Sequence, residues 1–138
     1  MAENSGFYTL KGYALQEGNA VTSSMEDYLE MIYRIHSTGE PVRVGAVAEM
    51  LNVKPSSATK MIANLKNQDL VISEKYGYIQ LTAAGIELGQ YLVLRHDTLH
   101  RLLCCINKST NELEQVEKIE HFINEETVGN ISLFLDSL

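Results

Sequence analysis

The sequence is poor in cysteine, in proline and in long apolar runs. Its 138 residues include two cysteines and two prolines, and no apolar stretch approaches the roughly 20 residues that a membrane-spanning helix needs. Residues 1–22 lack the basic start and continuous apolar segment of a secretory signal peptide. We therefore expect a cytoplasmic location. With 45% hydrophobic and 21% charged residues, the chain has the composition of an ordinary folded protein.

The two cysteines, Cys104 and Cys105, are adjacent and lie in an apolar run. Neighbouring cysteines rarely form a disulfide, and no second pair is present to complete a zinc site of the CxxC type. Burial in a helix is the favoured interpretation, with a redox or metal role as the alternative.

The net charge of −7 is unevenly distributed. Between residues 41 and 81 there are five basic and three acidic side chains, so this segment carries +2 and the rest of the chain −9. A basic segment can face the phosphates of a nucleic acid, whereas a region rich in carboxylates is suited to cations. The charge pattern therefore allows DNA binding and cation binding in different parts of one protein.

Apolar spacing predicts three helices and a β-hairpin in the first part of the chain. The helices are predicted from Ser24, as a possible cap, to about His36, over Val44–Leu51, and from Ser56 to about Gln68, with Pro55 in the first turn of the third. The runs Leu70–Ser73 and Tyr78–Leu81 predict the strands of the hairpin. This order is that of a winged helix-turn-helix, here over residues 23–82.

The remainder of the chain is predicted to be helical. Thr82 caps a long helix that runs to about Ile106. Ser109 or Thr110 opens the next helix, which ends near Asn124, and a last amphipathic segment runs from Glu125 to Leu138. The fold class is therefore mainly α with a small β-hairpin, with an extension over residues 1–22 and a helical domain over residues 83–138.

The third predicted helix presents small polar and basic side chains, as a helix in the DNA major groove does. Serine and threonine can contact bases or phosphates, and lysine neutralises phosphate. A solvated helix face is the alternative. The candidate DNA-binding residues are Arg43, Lys54, Pro55, Ser56, Ser57, Thr59, Lys60 and Asn64, with Lys75 and Tyr76 at the hairpin tip.

Carboxylates and histidines recur at helical spacing and predict a metal site. Asp27 and Glu30 share one face of the first helix, and Glu117, Glu120 and His121 share one face of the predicted fifth helix. Oxygen and imidazole ligands suit Mn(II) or Fe(II), and admit Co(II), Ni(II) or Zn(II). The alternative is a set of solvated acidic faces with structural histidines. The candidate metal ligands are Asp27, Glu30, His96, Glu117, Glu120 and His121, with His36 and His100 ranked lower.

Several stretches resemble the diphtheria-toxin-repressor-like metalloregulators, and among them the manganese transport regulator branch. They include residues 24–33, 54–61, 74–76, 81–85, 94–96 and 116–121, in the order of the family. The resemblance implies that the six candidate ligands bind up to two ions per subunit. Iron-selective relatives have a sulfur ligand where Glu120 stands, so the glutamate implies Mn(II), for which Fe(II), Co(II), Zn(II) or Cd(II) can substitute.

The resemblance further implies a homodimeric repressor of metal-uptake genes, without enzymatic activity, that binds palindromic operator DNA. Residues 83–138 then form a metal-binding and dimerisation domain, and the ion fixes the spacing of two recognition helices near one DNA turn. Two alternatives remain. One is a metal-independent winged-helix regulator of a small organic effector, and the other is a small di-metal hydrolase.

Overall fold

The first part of the chain folds as a winged helix. The computed structural model describes residues 21–138, and of Lys75 the backbone alone. The helices are α1 (Ser23–Ser37), α2 (Val44–Leu51) and α3 (Pro55–Asn67), and the strands are β1 (Val42–Arg43), β2 (Val71–Ser73) and β3 (Tyr78–Leu81). Most of the predicted extension, residues 1–20, lies outside the described residues.

The α1 helix begins two residues earlier than its predicted cap implies. The Thr22 hydroxyl accepts a hydrogen bond from the Met25 N–H at 3.2 Å, and the backbone of Thr22 is extended (φ −87°, ψ 168°). Ser24 already lies inside the helix. The prediction that Ser24 caps this helix is therefore wrong, because the chain leaves the extended conformation two residues sooner.

The predicted hairpin is confirmed, and a third strand extends it. The strand order is β1-β3-β2 with antiparallel pairing, and β1 pairs Val42 with Ile79. A 3-10 turn over Lys75–Gly77 joins β2 to β3, and Tyr76 (φ 63°) and Gly77 (φ 77°) both adopt left-handed backbone conformations there. The sequence pattern did not predict β1, because a strand of two residues is too short to show an alternation of apolar and polar side chains.

The core of the winged helix also includes the first half of the next helix. The side chains of Leu29 and Ile32 on α1, Leu65 on α3 and Leu92 are all fully buried in one cluster. Leu92 belongs to α4 (Ala83–Asn107). Because α1, α3 and α4 share this cluster, a ligand held by α1 is connected through packed side chains to the candidate recognition helix α3.

The second part consists of α4, α5 (Leu113–Ile119), a 3-10 turn (Glu120–Phe122) and α6 (Glu125–Asp136). The Thr82 hydroxyl caps α4 by accepting from the Gly85 N–H at 3.0 Å, as predicted. The α5 helix is shorter than predicted and starts after Glu112, which accepts a hydrogen bond from the Ser109 hydroxyl. No helix within residues 21–138 combines the length and apolar character needed to cross a bilayer.

Two glycines allow α4 to pack closely against the winged helix. A Cβ atom at Gly85 would lie 2.0 Å from the Leu70 carbonyl oxygen, and one at Gly89 would lie 2.7 Å from Tyr33 Cβ and Cγ. Contacts below 3 Å require something to move, and at Gly85 the obstacle is backbone. These glycines therefore set the distance between α4 and the rest of the core.

We expect Gly85→Ala to lower the free energy of unfolding by about 1–3 kcal/mol, the usual cost of overpacking, despite the better helix propensity of alanine. Urea denaturation of the metal-free protein measures this change. Gly45→Ala in α2 is the matched control, because a Cβ there meets no atom within 4 Å. Equal stability of the two variants would show that α4 can shift without cost.

Candidate metal centre

Side chains from α1, α4 and the end of α5 meet in two adjacent groups. Within each group, one ligand atom per residue lies within 4.8 Å of the others. The first group is Asp27, Glu120 and His121, and the second is His96, Glu117 and Glu120. Five of the six predicted ligands are thus brought together, and Glu120 belongs to both groups.

In the first group, His121 lies between two carboxylates of α1. Its Nε2 is 3.0 Å from Asp27 Oδ1, and its Nδ1 is 2.7 Å from Glu26 Oε1. The hydrogen bonds with Asp27 and Glu26 raise the pKa of His121 to about 10. Without a metal, the imidazole is therefore a cation at neutral pH, and a metal on Nε2 takes the place of a proton.

In the second group, His96 faces two glutamates. Its Nδ1 lies 3.3 Å from Glu117 Oε2 and 3.4 Å from Glu120 Oε1. The hydrogen bond with Glu120 raises the pKa of His96 above its usual value. Burial and the hydrogen bond with Glu120 raise the pKa of Glu117 to about 7. Glu117 is therefore partly protonated at neutral pH, as expected for one of two closely spaced acids with no cation between them.

Glu120 is the most unusual side chain of the centre. It is 0% exposed, and its Oε2 has no hydrogen-bond partner among the described residues. Burial alone would raise the pKa of Glu120, but hydrogen bonds with His96 and Glu117 hold that pKa below its usual value. A buried carboxylate with an unpartnered oxygen is costly. These donors fit a divalent cation, which would both use that oxygen and offset the repulsion between carboxylates.

Glu30, the sixth predicted ligand, is engaged elsewhere. Its Oε2 accepts from Arg34 Nη2 at 2.7 Å, one helical turn along α1. Burial raises the pKa of Glu30, and the charge of Glu120 adds to that effect. Glu30 still lines a cleft of about 580 Å³ that also exposes Asp27, His96 and Glu117. Its carboxylate therefore lies beside both groups but belongs to neither.

The shape of the centre depends on a break in the helix that was not predicted. The α5 helix ends at Ile119, and Glu120 and His121 lie in the 3-10 turn. The prediction that one α-helix carries Glu117, Glu120 and His121 is therefore wrong. Glu120 still lies beside both of the others, but Glu117 faces His96 whereas His121 faces α1.

The lower-ranked candidate ligands lie away from both groups. His36 is exposed near the end of α1. His100 Nε2 accepts from the Glu112 N–H at 3.1 Å and lies 3.5 Å from Cys104 Sγ, so it caps the start of α5. Cys104 is half-buried and Cys105 is exposed. The expectation of helix burial therefore fails for Cys105, which lies on the outer side of α4.

Two charged residues of the candidate centre, Glu26 and Arg95, were not predicted from the sequence. Arg95 is 3% exposed, and its Nη2 lies 3.1 Å from Glu26 Oε1. A signal was present, because Arg95 follows Leu92 by three residues and precedes Leu99 by four, which places an arginine on an apolar helix face. Such an arginine indicates a buried partner of opposite charge.

The predicted DNA-binding residues lie on an accessible surface of the winged helix. Ala58, Ile62 and Leu65 of α3 are buried, whereas the exposed residues are Lys54, which caps α3, and Pro55, Ser56, Ser57, Thr59, Lys60 and Asn64 on α3. Arg43 lies on the sheet, where its guanidinium stacks 4.4 Å from the Tyr78 ring centre. Tyr76 is 86% exposed at the tip of the wing, and the backbone of Lys75 lies beside it in the turn.

Comparison with known proteins agrees with this architecture. Residues 20–79 match the family described as iron dependent repressor, N-terminal DNA binding domain. The chain is similar to the manganese regulator SloR (27% identity, TM-score 0.72) and to the metal-dependent transcriptional regulator MtsR (27% identity, TM-score 0.73). It is also similar to ScaR with bound Zn2+ (26% identity, TM-score 0.70).

Each of these three matches covers 81% of this chain and 53% of the other, so the chain spans about half the length of those regulators. The matched DNA-binding domain, the winged helix and the metal-compatible centre all point to one group of proteins. Residues 20–79 are therefore similar to the DNA-binding domain of the iron-dependent repressors, and the chain is similar over 81% of its length to metalloregulators of the diphtheria-toxin-repressor-like kind.

Proposed function

We propose that this protein is a cytoplasmic repressor of metal-uptake genes that binds palindromic operator DNA as a homodimer, with Mn(II) as corepressor. One observation carries the proposal. Glu120 is fully buried, has an oxygen with no hydrogen-bond partner among residues 21–138, and lies beside ligand atoms from α1, α4 and the turn after α5. A cation at this carboxylate would connect the winged helix to the helical domain.

Two ions would be held by the two groups of side chains. Asp27, Glu120 and His121 would hold one ion, and His96, Glu117 and Glu120 the other, with Glu30 available if it leaves Arg34. The bound metal supplies positive charge that removes the repulsion between these carboxylates. Oxygen and imidazole donors without thiolate favour Mn(II), and Fe(II), Co(II), Zn(II) and Cd(II) can be accepted by the same set.

The ion acts on DNA binding through α1. Asp27 lies on α1, whose Leu29 and Ile32 share the core with Leu65 of α3. A contact that holds His121 and Glu120 against α1 would therefore fix the position of the 3-10 turn after α5 relative to α3. These ligands would hold an ion more tightly in the DNA-binding arrangement, and a bound ion would therefore favour that arrangement.

A second subunit would cover the exposed apolar side chains of the last helix. Leu133 and Phe134 on α6 are 70% and 59% exposed, and Leu138 is 75% exposed. Large apolar side chains in such proximity mark association surfaces in soluble proteins. A two-fold dimer presents two α3 helices, which matches the symmetry of a palindromic operator.

Fluorescence anisotropy with a palindromic promoter fragment tests the proposal, first with a chelator and then with Mn(II), Fe(II) or Zn(II). We expect tight binding with metal only, strongest with Mn(II). The Asp27→Ala/Glu120→Ala variant should bind DNA at the metal-free level under all conditions. Equal binding with and without metal would instead support a metal-independent regulator that responds to an organic effector.

On the DNA surface, we expect Lys60→Ala to weaken binding about equally for operator and unrelated DNA. Lys60 is exposed on α3, and a lysine that neutralises phosphate contributes about one unit, per subunit, to the slope of log K against log salt. Anisotropy titrations at several salt concentrations give this slope. Lys118→Ala is the control, because Lys118 pairs with Glu114 on α5. An unchanged slope in Lys60→Ala would place α3 away from the backbone of the DNA.

A further inference from the structure

Glu26, which is partly buried, and Arg95, which is buried, form an ion pair directly behind His121. Arg95 Nη2 donates to Glu26 Oε1 at 3.1 Å, and Arg95 Nη1 donates to Glu26 Oε2 at 3.5 Å. The arginine is 3% exposed, and the ring of Tyr91 lies on its other side, 6.0 Å from Cζ. Both oxygens of Glu26 are therefore engaged by one guanidinium, which fixes the plane of the carboxylate.

The carboxylate of Glu26 also fixes the ring of His121. Glu26 Oε1 lies 2.7 Å from His121 Nδ1, whereas Arg95 Nη2 lies 3.3 Å from the same nitrogen. The shorter contact shows that Nδ1 carries a proton and donates it to Glu26. This leaves Nε2 as the ligand atom, and Nε2 is the nitrogen that faces Asp27 at 3.0 Å.

This arrangement matches a general property of metal sites in proteins. A ligating histidine usually donates its second N–H to a carboxylate, which fixes the tautomer, orients the ring and makes the ligand more basic. Here Glu26 on α1 is the carboxylate, His121 in the turn after α5 is the imidazole, and Arg95 on α4 holds the carboxylate in place. The three residues come from three separate segments of the chain.

We propose that Glu26 and Arg95 are positioning residues that hold His121 with Nε2 directed at the ion shared with Asp27 and Glu120. The inference rests on the proposed metal-binding function. Arg95 has a second consequence in this arrangement. Because it engages both oxygens of Glu26, it keeps this carboxylate from acting as a further metal ligand beside Asp27.

The first measurement is Mn(II) affinity, by competition with a fluorescent chelator, for the unaltered protein and for Glu26→Ala. Loss of a carboxylate behind a metal-bound histidine typically weakens metal binding about 10–100-fold, and we expect a loss in this range. Glu26→Gln, which keeps a hydrogen-bond acceptor but no charge, should lose less. Glu87→Gln on the exposed side of α4 removes the same charge and should bind Mn(II) like the unaltered protein.

A second readout separates positioning from a merely structural role. In the Zn(II)-loaded protein, NMR of 15N-labelled histidine should show one imidazole Nδ1–H proton that is protected from exchange with water. We expect this signal to be lost in Glu26→Ala and retained in Glu26→Gln. If Glu26→Ala does not fold because Arg95 loses its partner, the Mn(II) affinities of Glu26→Gln and Glu87→Gln are compared instead. A weaker affinity in Glu26→Gln alone supports the positioning role of Glu26.

The outcomes separate the two proposals. An unaltered protein that binds no divalent ion would overturn the metal site itself and the role of Glu26 with it. An unaltered protein that binds Mn(II), with equal affinity and an unchanged imidazole signal in the Glu26 variants, would overturn only the positioning role. Weaker binding with loss of the protected N–H in Glu26→Ala, together with partial rescue by glutamine, would establish it.

Discussion

Glu120→Gln should abolish metal-dependent DNA binding. Glu120 belongs to both groups of candidate ligands, so its replacement removes a charged donor from both ions at once. We expect Mn(II) affinity to fall by about 100-fold or more, since even the loss of a residue behind a ligand costs 10–100-fold. Isothermal titration calorimetry gives the affinity and the stoichiometry, and anisotropy with operator DNA gives the functional effect.

The matched control for Glu120→Gln is Glu114→Gln. Glu114 lies on α5, its side chain is 86% exposed, and it pairs with Lys118. Its loss should leave metal binding unchanged. The metal-free Glu120→Gln protein should be less stable than the unaltered protein at neutral pH, because the charged interaction with His96, which holds the pKa of Glu120 below its usual value, is removed. Normal metal-dependent DNA binding by Glu120→Gln would contradict the assignment of this residue as the shared ligand.

The second large effect is a steep rise of Mn(II) affinity with pH. In the metal-free protein the pKa of His121 is raised to about 10, so this imidazole holds two protons throughout the range from pH 6 to pH 8. A metal on Nε2 must displace one of them, so the free protein binds more protons than the complex and affinity increases with pH. Displacing one proton gives about a tenfold gain per pH unit.

Glu117 makes the rise of Mn(II) affinity with pH steeper at lower pH. Its pKa is raised to about 7, so below that value a second proton must leave before the carboxylate binds metal. His96, whose pKa is also raised by Glu120, loses a further proton, so the gain should exceed about 100-fold per pH unit near pH 6. Calorimetry in buffers of different ionisation enthalpy counts the released protons directly. His36→Gln should leave the profile unchanged because His36 lies outside the centre, and a flat profile in the unaltered protein would exclude His121 as a ligand.

Local sequence patterns were sufficient to predict most of the secondary structure. The α2 helix occupies Val44–Leu51 as predicted, α4 is capped by Thr82, and a hairpin precedes it. These features depend on neighbours a few residues apart, namely apolar spacing, a capping hydroxyl and a turn glycine. The exposed face of α3 was predictable for the same reason, since burial of Ala58, Ile62 and Leu65 determines which side remains in water.

The types of residue in the candidate metal centre were also apparent from the sequence, but their grouping was not. Helical spacing placed Glu117, Glu120 and His121 on one face, whereas the 3-10 turn directs His121 towards Asp27 and Glu26. That turn occurs where the chain meets α1 and α4, which are distant in sequence. A local pattern contains no information about such a contact.

The same limit explains the other differences. The pairing of β1 with β3 joins residues more than 30 positions apart, and the ion pair of Glu26 with Arg95 spans 69 positions. Glu30 was predicted as a ligand from its face on α1, but Arg34 on the same helix engages it. The sequence by itself determined most of the helices, the exposed polar face of α3 and the donors available to a metal. Only the tertiary structure decided which donors meet, because that depends on packing between segments far apart in the chain.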